Sequence, residues 1–102
     1  MENFKVRKLA QMFDMLGDIN RLNIVIYLVK GKQNVTNITK HVGMSQSAVS
    51  HQLRLLKDAN ILKSEKIGKT VYYDINDEHV DQILSNGLIH MMHEEVEYEK
   101  HI

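Results

Sequence analysis

A chain of 102 residues is about one domain long, so a second independent core is not expected. Its 43% hydrophobic and 25% charged content are ordinary for a soluble globular protein, and no apolar run is long enough to be a membrane span. There is no Cys, which excludes a disulfide framework, a thiolate nucleophile and a thiolate metal site; any metal must be held by nitrogen and oxygen.

The net charge of zero hides an asymmetry. Residues 1–76 carry twelve Lys/Arg against six Asp/Glu, or +6, whereas residues 77–102 carry one against seven, or −6. A basic body suits contact with phosphates, and the acidic last segment suits something else.

The N-terminus "MENFKVRKLAQMF" has the pattern of an amphipathic helix rather than the apolar core of a secretory signal, so a cytoplasmic location is the default expectation. Val6, Leu9, Phe13 and Leu16 recur at helical spacing and predict a helix from about residue 3 to 16, ended by Gly17. Asp18 is a good N-cap for "INRLNIVIYLVKG", apolar enough to be the central core helix. A short helix in "NVTNITKHVG" closes at Gly43, and Ser45 caps a longer one whose Val49, Leu53 and Leu56 turn inward. Short helix, glycine turn, longer helix is a helix-turn-helix, here about residues 34–59.

"ILKSEKIGKTVYYDI" alternates around Gly68-Lys69 and predicts a hairpin of residues near 61–67 and 70–75. Helix-turn-helix followed by hairpin is a winged helix, mainly α with a β-hairpin wing, and one domain covers residues 1–102. A last helix from about 77 to 93 and a fraying charged end, "EEVEYEKHI", complete the chain.

With Val49, Leu53 and Leu56 inward, the opposite face of the longer helix presents Gln46, Ser47, Ser50, His51, Arg54 and Lys57. Gln, Ser and His near a helix N-terminus can hydrogen-bond base edges in a major groove, while Arg54 and Lys57 suit phosphates. Lys63, Lys66 and Lys69 on the wing would meet DNA backbone or minor groove without reading much sequence. Any one of these residues alone is more simply a solvated surface residue; their joint placement supports DNA contact. So small a domain offers few phosphate contacts, so tight operator binding argues for a two-fold homodimer on two half-sites.

The last helix carries His79, His90 and His93. On a regular helix His79 and His90 share a face but lie about 16 Å apart, so they cannot share a metal within one chain. His90 and His93, three residues apart, can reach one ion together. Antiparallel helices related by a two-fold axis pair residues whose numbers add to a constant, and Asp77 with His93 gives 170, His79 with His90 gives 169. One register therefore brings Asp77 and His79 of one subunit against His90 and His93 of the other, twice per dimer, with the axis near Leu84 and Ser85 and close approach helped by Ser85 and Gly87. A four-coordinate set of imidazole and carboxylate suits Zn(II), then Co(II), and leaves no open position for catalysis. Taken singly, Asp77 beside Asn76 is more simply an N-cap, His79 a surface residue, and Met91 and Met92 packing residues.

The segments "LGDINRLNIVIYL" (16–28), "SQSAVSHQLRLLKDANIL" (45–62) and "KIGKTVYY" (66–73) resemble the ArsR/SmtB metal-sensing repressors over nearly the whole chain. In that family the pattern Asp-x-His, ten residues, His-x-x-His on the last helix marks the zinc/cobalt-sensing CzrA-type branch, and Asp77, His79, His90 and His93 match it. The resemblance implies a homodimeric repressor that binds double-stranded operator DNA without metal and releases it on metal binding, controlling metal efflux or homeostasis genes. It also implies departures: members sensing arsenic, cadmium or lead carry cysteines where this chain has Asn34 and Thr36. Nickel/cobalt sensors add histidines or the N-terminus to reach six-coordination, so His101 leaves Ni(II) open. His90, donating its second ring nitrogen to a backbone carbonyl near Asn60, is the expected carrier of the metal signal. Competing readings are a winged-helix regulator with a non-metal inducer, a metal-dependent hydrolase, and a nucleoid-type protein. The hydrolase would need an open coordination position and a nearby base, neither of which is evident, and the balanced charge disfavours the nucleoid reading.

Overall fold

A side-chain oxygen opens every helix among the residues described by a computed structural model, which covers 3–100, with side chains through 93. Asn3 accepts from the Val6 N–H at 2.9 Å to start α1 (Phe4–Leu16), and Asp18 accepts from Arg21 at 3.0 Å to start α2 (Ile19–Val29). Asn34 accepts from Asn37 at 2.8 Å for α3 (Val35–Val42), and Ser45 from Ala48 at 3.2 Å for α4 (Gln46–Asp58). Asp77 Oδ1 accepts from Val80 at 3.0 Å for α5 (Glu78–Lys100). Each cap satisfies a first-turn N–H that has no partner in its own helix, worth about 1 kcal/mol. Gly43, in the left-handed region at φ 69°, ends α3 and turns the chain into α4.

The strands are β1 (Gln33–Asn34), β2 (Leu62–Ile67) and β3 (Thr70–Ile75), antiparallel in the order β1-β3-β2. β2 and β3 pair from Leu62 with Ile75 to Ile67 with Thr70 around Gly68-Lys69, where Gly68 has φ 64°. This is the expected wing. The third strand was not expected: Gln33 and Asn34 pair with Tyr73 and Tyr72 and fasten the α2–α3 connection to the wing's base.

The core is centred on α2, as expected. Ile24, Val25 and Leu28 are fully buried with Ile38 of α3, Val49, Leu53 and Leu56 of α4, and Ile61 beyond it; Leu62 and Ile75 close the wing's base. At about 1.5–3 kcal/mol per fully buried large aliphatic side chain, this cluster dominates the folding energy. It also sets the rotation of α4, because turning Val49, Leu53 and Leu56 inward leaves the opposite face outward.

Two outer helices are only half satisfied. Of the apolar stripe of α1 only Leu16 is buried, while Val6, Leu9 and Phe13 are 50%, 48% and 52% exposed. On α5, Val80 and Leu84 enter the core, but Ile83, Leu88, Ile89, Met91 and Met92 remain exposed. The expected amphipathic α1 is present, but the chain's own core covers only the end of its apolar stripe. The last helix also runs past residue 93 to Lys100 rather than fraying there, and the end of the expected frayed segment, His101 and Ile102, lies outside the described residues. No helix of the described residues is long and apolar enough to cross a membrane.

Candidate DNA-reading face and metal half-site

Helix α4 presents Gln46, Ser47, His51, Arg54 and Lys57 to solvent, with Ser50 half-buried among them. Ser45 holds the helix N-terminus and its hydroxyl lies 3.4 Å from that of Ser47. All six predicted contact residues of this helix therefore share one face. Lys63, Lys66 and Lys69 are exposed on the wing, and α4 packs on β2.

One contact made by α4 had no visible sequence signal. Arg21 on α2 donates from Nε to the Met15 carbonyl at 2.8 Å and from a terminal nitrogen to Gln52 Oε1 at 3.5 Å. A partly buried guanidinium thus ties the end of α1 to the side of α4. On α3, the His41 ring stacks on Tyr27 of α2, with centroids 3.9 Å apart and planes 13° from parallel.

The four predicted metal ligands fall in two groups at separated levels of α5. Asp77 caps the helix through Oδ1, which also lies 3.8 Å from Nδ1 of the largely exposed His79; Oδ2 has only the Asn76 amide, 3.5 Å away. Capping therefore does not use up the carboxylate. His90 and His93 are both exposed one turn apart, three turns further along. Among the described residues no three His, Asp or Glu of one chain converge on a common point, so one chain offers half-sites only.

The face bearing these half-sites runs through His79, Ile83, Gly87 and His90, in steps of four, four and three residues. The side chains expected nearest the two-fold axis turn out differently. Leu84 is buried in the chain's own core and Ser85 is half-buried, donating its hydroxyl to Asp81 at 2.8 Å. Of the two small residues expected there, Gly87 is exposed, and a Cβ built on it meets nothing within 4 Å.

A groove of about 810 Å³ lies beside this face, walled by Phe4, Leu9 and Met12 of α1 and by Val80 and Ile83 of α5. Asp77 and His79 line its floor together with Asn60 and Asn76. The donor chemistry suits a borderline divalent ion: imidazole nitrogens and a carboxylate oxygen, none engaged in a strong ion pair and all reachable from outside.

The comparisons agree with this fold. Residues 18–64, from the cap of α2 through α4 into β2, match the bacterial regulatory proteins of the arsR family. Over 86 residues the chain is 35% identical to the HTH-type transcriptional regulator NmtR of Mycobacterium tuberculosis, covering 84% of this chain and 72% of that protein. Over 84 residues it is 40% identical to the arsenical resistance operon repressor of Bacillus subtilis, covering 81% and 80%. The homodimeric winged helix-turn-helix DNA-binding domain of Mb0332 from Mycobacterium bovis superposes with a TM-score of 0.83 over 96% of this chain and 93% of that one, at 24% identity, a likeness of fold. Relatives and fold are those of DNA-binding transcriptional regulators, not enzymes. The chain belongs to the arsR family of bacterial regulatory proteins.

Proposed function

We propose that the protein is a homodimeric, cytoplasmic repressor that holds operator DNA in its metal-free form and lets go when Zn(II), or Co(II), bridges its two α5 helices. The observation that carries this reading is the division of the ligands. Asp77 and His79 stand at the start of α5, His90 and His93 three turns further along, and among the described residues no set of three ligands forms within a chain. An antiparallel second copy completes both sites at once and covers the exposed apolar residues of α1 and α5, which a lone chain leaves in water.

In this reading Gln46, Ser47, Ser50 and His51 meet base edges, Arg54 and Lys57 meet phosphates, and Lys66 and Lys69 hold the flanking backbone. A bound ion supplies a rigid cross-link between subunits. Asp77 and His79 then hold their half of the dimer at a set angle to the partner's half, and the two α4 helices lose the spacing that the groove repeat demands. Asn60, at the end of α4, lines the groove beside Asp77 and His79, where the register brings the second subunit's His90. Its carbonyl is thus well placed to accept from that imidazole's free nitrogen. Linkage requires that DNA weaken zinc binding by the same factor that zinc weakens DNA binding.

The test is fluorescence anisotropy of the labelled promoter upstream of the protein's own gene, with metal-free protein and then zinc, at constant salt. Binding without metal, followed by release at one zinc per subunit, supports the reading. Binding that zinc leaves unchanged removes the zinc assignment; nickel and cobalt titrations then decide whether the nickel/cobalt reading or a non-metal inducer replaces it.

A further inference from the structure

We propose that Asn76 is a positioning residue that ties the Asp77 carboxylate to the end of the recognition helix α4 within one subunit, a role that rests on reading Asp77 as a metal ligand. The connection is short. At its end α4 closes on itself: Asn60 sits at φ 59° and donates to the Lys57 carbonyl, and Ile61 donates to the Leu56 carbonyl, both at 3.0 Å. The Ile61 carbonyl in turn accepts from the Asn76 backbone N–H at 2.9 Å. Ile61 is fully buried, and Leu62 pairs with Ile75 in the sheet, so this bond extends the β2–β3 ladder by one rung from an immobile base.

The side chain of Asn76 points the other way. Its Nδ2 lies 3.5 Å from Asp77 Oδ2, the oxygen left open once Oδ1 has accepted from Val80. Asn76 is therefore held by its backbone to Ile61, which closes the end of α4, and by its amide to the oxygen left for ligation. A displacement of Oδ2 on ligation reaches the end of α4 through Asn76 and Ile61. Asp58, Ala59 and Asn60 line the same groove as Asn76, Asp77 and His79. The route through His90 crosses between subunits; this one does not, and each can be cut separately.

Asn76→Ala removes the amide and Asn76→Asp replaces it with a carboxylate that repels Asp77; both keep the backbone bond to Ile61. Three quantities are measured on the full chain at fixed salt: DNA affinity without metal, zinc affinity, and DNA affinity with saturating zinc. The expected result is metal-free DNA affinity and zinc stoichiometry close to wild type, zinc affinity lowered by no more than the about 10–100-fold that loss of an outer hydrogen-bond partner costs, and the effect of saturating zinc on DNA binding cut by about fivefold or more, against the roughly 5–150-fold range of allosteric couplings. A helix or strand merely weakened by the substitution would lower the metal-free DNA affinity instead. Full zinc-driven release in both variants overturns the role of Asn76. Wild-type protein that takes up no zinc overturns the ligand reading itself, so the two failures are distinguishable. In wild type alone, hydrogen exchange at the Asn76 amide should change on adding zinc; exchange that zinc leaves unaltered counts equally against the link.

Discussion

The Arg21 guanidinium reaches from α2 to the Gln52 amide oxygen on α4, 3.5 Å away, while its Nε stays on the Met15 carbonyl at 2.8 Å. Hydrogen bonds from a charged group are worth about 1.5–3 kcal/mol, and loss of the donor leaves a carbonyl unpaired at the end of α1. Arg21→Ala should therefore lower unfolding free energy by about that amount in urea denaturation. Arg21→Lys keeps the charge but not the fork, so it should lose the Gln52 contact and weaken DNA binding with a smaller stability loss. Arg21→Lys protein that binds operator as wild type does would show that α4 is oriented by its apolar face alone.

Arg21 also illustrates where sequence reading stops. Its neighbour Asp18 was legible as a cap because capping is local, and so were Ser45, the Gly43 turn and the wing, each of which declares itself within a few residues. The span from Arg21 to Gln52 joins residues 31 positions apart and leaves no periodic trace. β1 was illegible for the same reason: two residues carry no alternation, and only Tyr72 and Tyr73 across the sheet make them a strand. The stripe of α1 was visible as apolar, but its covering surface was not, since periodicity tells that a face is buried without telling by what. Asp77 was legible as a cap, and because the cap uses one oxygen the other is left for the proposed ligation.

That division of oxygens separates capping from ligation. Asn caps helices as well as Asp does, so Asp77→Asn should leave thermal stability near wild type while weakening zinc binding by more than the about 10–100-fold that loss of an outer hydrogen-bond partner costs. Asp77→Ala loses the cap as well, worth about 1 kcal/mol, and should melt lower. Calorimetric zinc titrations paired with thermal melts check this. Equal zinc affinity in Asp77→Asn would remove the carboxylate from the ligand set.

The wing lysines act through charge, and salt reports charge. Each phosphate contact contributes about −0.9 to the slope of log affinity against log salt. Lys66→Ala and Lys69→Ala should each flatten that slope by roughly one contact per subunit and weaken operator and unrelated DNA alike. Gln46→Ala and Ser47→Ala should instead leave the slope alone and reduce the preference for operator. Slopes unchanged in both lysine variants would take the wing out of the interface.

Gly87 tests where two α5 helices cross. Nothing inside the chain requires a glycine there, since an added Cβ meets no heavy atom within 4 Å, and glycine in mid-helix costs roughly 0.5–1 kcal/mol relative to alanine. Its place on the face shared with His79, Ile83 and His90, beside the level where the register puts the two-fold axis, supplies a reason: close approach of a second helix. Gly87→Leu should weaken dimerisation by about tenfold or more, equivalent to about 1.4 kcal/mol, and lower zinc uptake with it because the half-sites are held apart. Gly87→Ala should raise the helix's own stability while disturbing the dimer far less. Sedimentation equilibrium with and without zinc separates the two effects, and a Gly87→Leu dimer as tight as wild type would move the crossing point away from this face of α5.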